Sequence, residues 1–345
     1  MITFFDPKTD RGGGQVVLER LLELCVDHGP TALVMPQQGY AKIKAPAEVD
    51  HFDSSAQLQC AVTAPEAVTI VCNAHAALPD IVRTANRLRR SGHPVQTIAI
   101  LHNYPIEPAK KLLTHALLRR VDVAIAVEPG LTTLRKDALI PSWLSVQDGT
   151  RARELARTTI RRTGVVKCYA RPDRSKGLHL LPQIFPRLEE GGLTCQVAVG
   201  AAPLQDQSRY RERLLPALRP WMVDGPRTPA WIKPGDIFLV PSIGGEAACL
   251  SAQEAISNGA FVVASRLGLM AYLSPTNEGV RTFAVRNAAD AVRATTEVAS
   301  LHDEQFSSEM RAATNSIALR AGRWYDEVLS IILNRAAHSS KESSP

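Results

Sequence analysis

Short apolar segments alternate with longer segments of helical periodicity along most of this chain. The apolar segments are rich in β-branched residues and comprise Ile2–Phe5, Ala32–Met35, Val68–Cys72, Val95–Leu101, Val123–Val127, Gly164–Ala170, Cys195–Gly200, Asp236–Val240 and Phe261–Ser265. Segments this apolar are typical of parallel strands that are covered on both faces. The intervening segments, such as Gln15–His28, Asp80–Arg90 and Ala252–Asn258, carry apolar residues at helical spacing. The alternation therefore predicts an α/β fold with doubly wound parallel sheets.

The length of the chain and a change in its composition predict two domains. A chain of 345 residues exceeds the size of one ordinary domain. Residues 147–164 carry five arginines and few large apolar residues, which is typical of a polar crossing between domains. We therefore predict one Rossmann-like domain over residues 1–150 and a second over residues 151–322. Two such domains that face each other leave a cleft, where ligands of these folds bind.

The C-terminal region combines a helical pattern with a polar tail. Trp324, Val328 and Ile331 stand at i, i+4 and i+7, so the pattern predicts a helix over Ser316–Leu333 that packs on a core. Residues 337–345 are polar, and we expect them to form a disordered tail.

Composition limits the class of protein and its partners. The formal net charge of +6 favours anionic ligands, but the chain lacks the aromatic-rich basic motif of a nucleic-acid module. We therefore expect no nucleic-acid partner. No run of eighteen apolar residues predicts a transmembrane helix, and Met1–Asp6 lacks the regions of a signal peptide. The six cysteines form no CxxC pair, which favours reduced, buried thiols in a cytoplasmic protein.

A basic turn follows the predicted strand Gly164–Ala170. Arg171 stands at the end of the strand, and Lys176 follows five residues later beside Gly177. Two cations around one turn suit a diphosphate, because a guanidinium offers a bidentate fork and an ammonium a point charge. A solvated basic loop is the alternative reading of the same residues.

A second motif follows the predicted strand Asp236–Val240. Glu246 precedes three small residues, and Glu254 lies eight positions later on a predicted helix. Small side chains let backbone N–H groups approach a ligand, and a helix N-terminus favours anionic oxygens. A carboxylate at Glu246 suits sugar hydroxyls, and one at Glu254 suits ribose hydroxyls. The alternative reading is a capping glutamate and a solvent-facing glutamate.

The second half of the chain resembles the retaining glycosyltransferases of family 4, which have the GT-B fold. That family has a strand ending in Gly-Arg and a Lys-Gly shortly afterwards, matched here by Ala170-Arg171 and Lys176-Gly177. A strand ending in Pro-Ser comes later in the family, matched by Pro241-Ser242.

Two glutamates with seven intervening residues follow in the family, matched by Glu246 and Glu254. A glycine then precedes a Val-Val-Ala-Ser strand, matched by Gly259 and Val262–Ser265. Because order and intervals agree, the resemblance implies that this half binds the donor. Backbone contacts to the donor are then expected at four further positions, Ala247, Ala248, Cys249 and Leu250. The resemblance also implies that a final helix over residues 323–336 returns to the first domain.

The resemblance extends more weakly into the first half. The family often opens with a strand, a Gly-Gly loop and a helix, matched here by Ile2–Phe5, Gly12–Gly14 and the segment from Gln15. The glycines permit close approach of the backbone to the donor or the acceptor, and Gly13 is expected to bind the donor; a plain turn is the alternative. In similar enzymes a histidine after a strand contacts the donor sugar, which implies this role for His102. His75 is a weaker candidate, since a histidine after a strand is often structural.

Three features depart from the family pattern. The usual Glu-Gly-Phe-Gly becomes Glu246-Ala247-Ala248-Cys249, and alanine tolerates a positive φ less well than glycine. The step from Pro241-Ser242 to Glu246 is one residue longer than usual, and the Asn-Gly turn before the linker appears only as Gln147-Asp148-Gly149. The first departure implies a different donor geometry or a weak activity, and the longer step to Glu246 implies an altered donor loop.

The resemblance implies transfer of a sugar from a nucleoside-diphosphate sugar to a saccharide, lipid-linked or small-molecule acceptor with retention of configuration. No carboxylate stands out as a nucleophile, so a front-face route is expected in which the leaving diphosphate helps to deprotonate the acceptor. Arg171 and Lys176 would stabilise the diphosphate, Glu246 would hold the sugar ring and Glu254 the ribose. Domain closure would bring His102 and the Gly12–Gly14 loop over the sugar. This scheme requires no metal and no cofactor.

Acceptor and membrane contacts are expected in the first domain, where loops vary most. Lys110 and Lys111 precede Leu112 and Leu113, a pattern that suits an anionic membrane surface but also an ordinary solvated helix face. Two rival functions stay open: a non-catalytic GT-B partner of a glycosyltransferase, and a glycoside phosphorylase that uses free phosphate at the Arg171 turn.

Overall fold

A computed structural model of the 345-residue chain describes most of the protein. The described residues are 1–8, 13–62, 66–102, 108–127, 138–139, 150–200, 208–223, 231–244, 249–268, 270–273, 279–320 and 323–341. The chain divides into two compact units, of which unit 1 comprises Met1–Ser142 with Arg323–Pro345, and unit 2 comprises Trp143–Gly322.

Unit 1 is built on a seven-stranded parallel sheet in the order β3-β2-β1-β4-β5-β6-β7. The strands are β1 (Ile2–Phe5), β2 (Thr31–Val34), β3 (Val49–Phe52), β4 (Val68–Cys72), β5 (Val95–Leu101), β6 (Val123–Ala126) and β7 (Ala138–Leu139). The helices between them are α1 (Gly13–Val26), α2 (Gln37–Tyr40), α3 (Ser55–Ala61), α4 (Leu78–Arg90) and α5 (Pro108–Leu118). Strand order reverses between β1 and β4, which is the switch point of a doubly wound sheet.

Unit 2 is built on a five-stranded parallel sheet in the order β12-β11-β10-β8-β9. Its strands are β8 (Val165–Ala170), β9 (Thr194–Val199), β10 (Ile237–Val240), β11 (Phe261–Ser265) and β12 (Val280–Phe283). Its helices are α6 (Thr150–Leu155), α7 (Leu181–Glu190), α8 (Ser208–Leu218), α9 (Leu250–Ser257), α10 (Met270–Leu273), α11 (Ala288–Ser300) and α12 (Asp303–Arg320). Here the order reverses between β8 and β10, so the switch point lies between these two strands.

Alternate residues of the central strands of unit 2 enter two separate cores. Leu239 on β10 packs with Phe185 of α7 on one face, whereas Phe238 packs with Ile256 of α9 on the other. Both faces of the sheet are therefore covered by helices, which is why these strands read as continuous apolar segments. The prediction of doubly wound α/β sheets is confirmed in each unit.

The last helix, α13 (Arg323–Lys341), packs against α1, β4 and β5 within unit 1. It buries Trp324 and Val328 completely or nearly so. The prediction of one helix over Ser316–Leu333 is wrong, because α12 ends at Arg320 and α13 begins at Arg323. The sequence has Gly322 at this point, and glycine favours helix termini over helix interiors. Helix α13 also covers residues 337–341, assigned above to a disordered tail, and Ala337 favours such an extension.

Three strands lack a continuous apolar segment and were not predicted. Strands β3 and β12 lie at sheet edges and carry polar residues, such as Asp50 in the former and Arg281 in the latter, that are not fully buried. Strand β7 has two residues. Among the helices that the structure describes, none has both the length and the apolar composition to cross a membrane.

Candidate functional site

The two charged motifs of unit 2 follow β8 and β10, the strands that flank the switch point of its sheet. The Arg171–Gly177 turn follows β8, and the loop from Pro241 follows β10. Because parallel strands end at the same edge of a sheet, the fold brings the two motifs together at the position where doubly wound folds bind ligands.

The Arg171–Gly177 turn is closed by its own hydrogen bonds. The Asp173 side chain accepts a hydrogen bond from the backbone N–H of Ser175 at 2.8 Å, and the Asp173 carbonyl accepts one from the N–H of Lys176 at 2.9 Å. Gly177 then reverses the chain with a φ of 69°. An Asp at the start of such a turn supplies a local acceptor, which is why the short segment holds one shape.

Gly177 joins this turn to the loop after β10. A Cβ atom at residue 177 would lie 1.8 Å from the carbonyl oxygen of Pro241, so only glycine permits the approach. The backbone N–H of Ile243 donates to the carbonyl of Ser175 at 2.7 Å, which ties the same two segments together. The turn that carries Lys176 and the loop that leads to Glu246 therefore form one packed assembly.

Arg171 lies between the ends of β8 and β9. A Cβ atom at Gly200 would lie 3.4 Å from Cγ of Arg171, and the N–H of Gly200 donates to the Ala170 carbonyl at 2.9 Å. The Arg171 side chain is half-buried, and the described residues offer its guanidinium neither a hydrogen-bond acceptor nor a carboxylate. A half-buried guanidinium at this edge is suited to an anionic ligand. Lys176 is half-buried in the same turn.

Glu254 is a half-buried carboxylate on α9. Its side chain has no hydrogen-bond or ion-pair partner among the described residues. Burial raises the pKa of Glu254 to about 7, because removal from water disfavours the charged carboxylate. A carboxyl group held in this way can accept hydrogen bonds from ligand hydroxyls, and perturbed pKa values concentrate at such sites.

Cys249 adopts a left-handed conformation directly before α9. Its φ is 47° and its ψ is 67°, in a region that non-glycine residues rarely occupy, and its side chain is buried. Leu250 is the first residue of α9. The segment before α9 thus ends in a left-handed residue at the position that matches the second glycine of the Glu-Gly-Phe-Gly pattern described above. Glu246, Ala247 and Ala248 lie outside the described residues.

The switch point of unit 1 holds a buried polar network. Asp6, directly after β1, is fully buried, and its Oδ2 accepts hydrogen bonds from Asn73 Nδ2 at 2.8 Å and from Gln15 Nε2 at 3.0 Å. Its Oδ1 accepts a third hydrogen bond from the backbone N–H of Lys8 at 3.0 Å. Asn73, directly after β4, also donates to the carbonyl of Gly14 at 3.1 Å. The network connects two strand ends with the first turn of α1.

His102 completes this network at the end of β5. Its Nε2 lies 3.0 Å from Oδ1 of Asn73. Because Nδ2 of Asn73 donates to Asp6 and Gly14, its Oδ1 is the acceptor, and Nε2 of His102 therefore carries the hydrogen. Burial, with a smaller contribution from Lys8, lowers the pKa of His102 to about 3, so the ring is neutral. Its Nδ1 carries no hydrogen in this tautomer and is therefore an acceptor.

The remaining candidates of unit 1 lie beside this network. Gly13 is the first residue of α1, whereas Gly12 lies outside the described residues. His75 begins a short 3₁₀ turn after β4 and is half-buried; burial and the nearby cations Lys8 and Lys110 lower its pKa. Both histidines therefore lie near Lys8.

Sequence reasoning missed the roles of Asp6, Gln15 and Asn73. A signal was present, because Asp6 and Asn73 are polar residues directly after two apolar strands. These two residues can be predicted to contact each other only when β1 and β4 are known to be neighbouring strands. Within the described residues, no group of three or more His, Cys, Asp or Glu side chains is placed to hold a metal ion.

Comparison with known proteins relates this fold to glycosyltransferases. No protein-family model and no curated protein sequence matches the chain. Among solved structures, HepE of Anabaena in complex with UDP superposes with a TM-score of 0.71 at 16% identity, over 96% of this chain and 99% of that one. The UDP-forming α,α-trehalose-phosphate synthase of Burkholderia vietnamiensis gives 0.69 at 12% identity, over 96% and 99%.

Sucrose-phosphate synthase of Thermosynechococcus elongatus gives a TM-score of 0.67 at 14% identity, over 96% of this chain and 99% of that one. These proteins have the GT-B fold. The two parallel-sheet units of this chain therefore have the GT-B fold. Identities this low establish the fold alone.

Proposed function

We propose that this protein is a glycosyltransferase that uses a nucleoside-diphosphate sugar as its donor. The observation that carries the proposal is the contact of Gly177 with Pro241, which packs the Arg171–Lys176 turn against the loop leading to Glu246. Two cations that suit a diphosphate and the loop that leads to Glu246 therefore lie side by side at the switch point of one sheet, which supports a donor site there.

UDP is the nucleotide we favour. HepE was solved with UDP and with UDP-glucose, and the similar trehalose-phosphate synthase is UDP-forming. Arg171 and Lys176 would bind the diphosphate and stabilise the negative charge that grows on it as the sugar leaves. Glu254 would accept hydrogen bonds from the ribose, and Glu246 would hold the sugar ring.

Retention of configuration and membership of family 4 are part of the same proposal, supported by the order and spacing of Arg171, Lys176, Glu246 and Glu254. The reaction follows a front-face route without a metal, in which the leaving diphosphate helps to deprotonate the acceptor. His102 would accept a hydrogen bond from a sugar hydroxyl through Nδ1, since its Nε2–H is engaged by Asn73.

The acceptor is a saccharide, a lipid-linked sugar or a small molecule, and a peripheral contact with an anionic membrane is part of the proposal. Helix α5 supports it, because Leu112 and Leu113 are 73% and 54% exposed next to Lys110 and Lys111. Exposed leucines beside lysines are typical of helices that lie in a membrane interface.

A non-catalytic GT-B partner protein is the second candidate. The left-handed Cys249 favours it, because a residue other than glycine is strained where the family places glycine. Glu254 favours an active donor site instead. Its half-buried carboxyl group has no partner among the described residues, and burial of such a group costs free energy that hydrogen bonds to a ligand would offset.

A thermal-shift panel of UDP, GDP, ADP and dTDP, alone and as sugar conjugates, tests the proposal. Stabilisation by one nucleotide is expected for the wild type and for Arg187→Ala, a matched exposed arginine on α7. The Arg171→Ala variant should lose it. If none of the nucleotides shifts the melting temperature, the non-catalytic candidate is supported. A separate assay that detects transfer of a labelled sugar from the nucleotide sugar would exclude that candidate.

A further inference from the structure

The surface of unit 2 carries an open cavity of about 680 Å³ between α6 and α12, lined mostly by exposed side chains and built from helices rather than from strand ends. Three arginines line it: Arg153 and Arg157 from α6 and the turn that continues it, and Arg311 from α12. Ser308 and Asn315 of α12 add polar groups, and Leu319 adds an apolar one.

Helical spacing explains why these residues converge. Arg153 and Arg157 are four positions apart, and α6 continues through a turn in which the N–H of Ala156 donates to the Ala152 carbonyl at 2.9 Å. Ser308, Arg311 and Asn315 stand at i, i+3 and i+7, so they share one face of α12. The opposite faces of both helices are held in the core by buried residues that include Ala152, Ala313 and Ile317.

Within the part of the chain that the structure describes, the arginines of the cavity have no ion-pair partner. Among the described residues, no carboxylate pairs with Arg153, Arg157 or Arg311. Two acidic residues of these helices pair with other arginines, since Glu154 lies 3.5 Å from Arg151 and Asp303 lies 3.0 Å from Arg162. Three exposed arginines around one cavity give its surface a positive charge, which favours an anionic ligand.

We propose that this cavity binds a ligand with a phosphate monoester group. Guanidinium forks bind phosphate oxygens in pairs, and serine and asparagine supply further hydrogen bonds. Pockets of small-molecule sites have volumes of roughly 300–1,000 Å³, so the cavity accommodates a phosphorylated molecule larger than phosphate itself. Leu319 and the alanines of the lining would contact its carbon atoms. A soluble sugar phosphate and the headgroup of phosphatidic acid both present this chemistry.

Two binding measurements on the full-length protein test the proposal at physiological ionic strength. Calorimetric titration with glucose 6-phosphate tests whether the cavity binds a phosphate monoester on a soluble sugar. Co-sedimentation with vesicles of phosphatidylcholine and phosphatidic acid at a four-to-one molar ratio tests whether the cavity binds the phosphate monoester of a lipid headgroup. The variants are Arg157→Gln and Arg311→Gln, each exposed, with Arg187→Gln as the matched loss of one exposed arginine.

Binding in at least one measurement is expected, weakened about tenfold or more by Arg157→Gln and by Arg311→Gln and unchanged by Arg187→Gln. The Arg171→Ala variant should bind as the wild type does, which separates this site from the proposed donor site. Absence of binding in both measurements would overturn the proposal. Equal weakening by Arg187→Gln, or weakening by Arg171→Ala alone, would overturn it as well.

Discussion

The Nε2–H of His102 donates a hydrogen bond to Oδ1 of Asn73 at 3.0 Å, and this bond fixes which nitrogen of the neutral ring carries the hydrogen. Asn73 is fixed in turn, because its Nδ2 donates to Asp6 and to the carbonyl of Gly14. The ring of His102 is thus oriented by a residue 29 positions earlier in the chain. Buried networks of this kind hold one arrangement when every member is satisfied.

Replacement of Asn73 by alanine should disrupt this network. The Asn73→Ala variant leaves the buried Nε2–H of His102 without its acceptor and removes one donor from Asp6. We expect the free energy of unfolding to fall by roughly 2–4 kcal/mol, since each unsatisfied buried group costs about 1–3 kcal/mol. Urea denaturation measures the change. Asn86→Ala on the exposed face of α4 is the matched control, and an equal effect in both would contradict the prediction.

Replacement of Gly177 by alanine should separate the two loops of the proposed donor site. The added Cβ would meet the Pro241 carbonyl at 1.8 Å, in a backbone conformation with a φ of 69°. Gly192→Ala is the control, because residue 192 has a φ of 81° but nothing within 4 Å of its added Cβ.

Both variants incur the left-handed conformational penalty of about 1 kcal/mol, and only Gly177→Ala incurs the clash. We therefore expect a larger loss of stability for Gly177→Ala, together with at least a tenfold loss of UDP affinity, measured by denaturation and calorimetry. Unchanged affinity in a folded Gly177→Ala protein would show that the contact between the loops is not needed for nucleotide binding.

The raised pKa of Glu254 predicts a pH-dependent stability with a definite sign. The folded pKa of about 7 exceeds the value of 4.5 expected when the chain is unfolded, so the folded protein binds the proton more tightly. This contribution is fully present below pH 4.5 and is lost as the pH rises to about 7. The difference of about 2.5 pKa units corresponds to roughly 3 kcal/mol, at 1.36 kcal/mol for each pKa unit.

The Glu254→Gln variant removes this dependence. It should gain stability relative to wild type between pH 5 and pH 8, yet bind UDP more weakly because the amide is a poorer acceptor for ribose hydroxyls. Thermal unfolding at the two pH values measures the first effect, and calorimetry measures the second. Glu212→Gln on an exposed position of α8 should change neither. A stability difference for Glu254→Gln that does not vary with pH would contradict the burial argument.

The central strands could be predicted from the sequence, because each one is marked by its own continuous apolar segment. Strands β1, β4, β5 and β11 have the predicted bounds, because a strand covered on both faces needs a continuous apolar segment. Edge strands β3 and β12 need apolar residues on fewer positions, so their sequences, such as Val49-Asp50-His51-Phe52, give no comparable signal.

The candidate site could be predicted in part for the same reason. Arg171, Lys176 and Glu254 belong to local motifs with characteristic intervals. By contrast, the bond from Asn73 to Asp6 joins residues 67 positions apart, and the contact of Gly177 with Pro241 joins two separate motifs. Such pairings depend on strand order at the switch points, which a single sequence does not contain.

Substitutions of Cys249 test the backbone strain of the loop in the proposed donor site without a ligand. Both Cys249→Gly and Cys249→Ala remove a buried thiol, so their losses of packing are similar. Only glycine also relieves the left-handed conformation, which costs an L-residue roughly 1–2 kcal/mol. We therefore expect Cys249→Gly to be more stable than Cys249→Ala by about 1 kcal/mol in urea denaturation.

Ala252→Gly is the control, because at a helical position glycine should be less stable than alanine. We expect this variant to be less stable than the wild type by about 1 kcal/mol or more, since alanine favours helix interiors. UDP affinity of Cys249→Gly should equal or exceed that of the wild type, because glycine adopts the left-handed conformation at this position without strain. If Cys249→Ala proved the more stable of the two, the left-handed conformation of residue 249 would be wrong, and with it the strain argument for a non-catalytic protein.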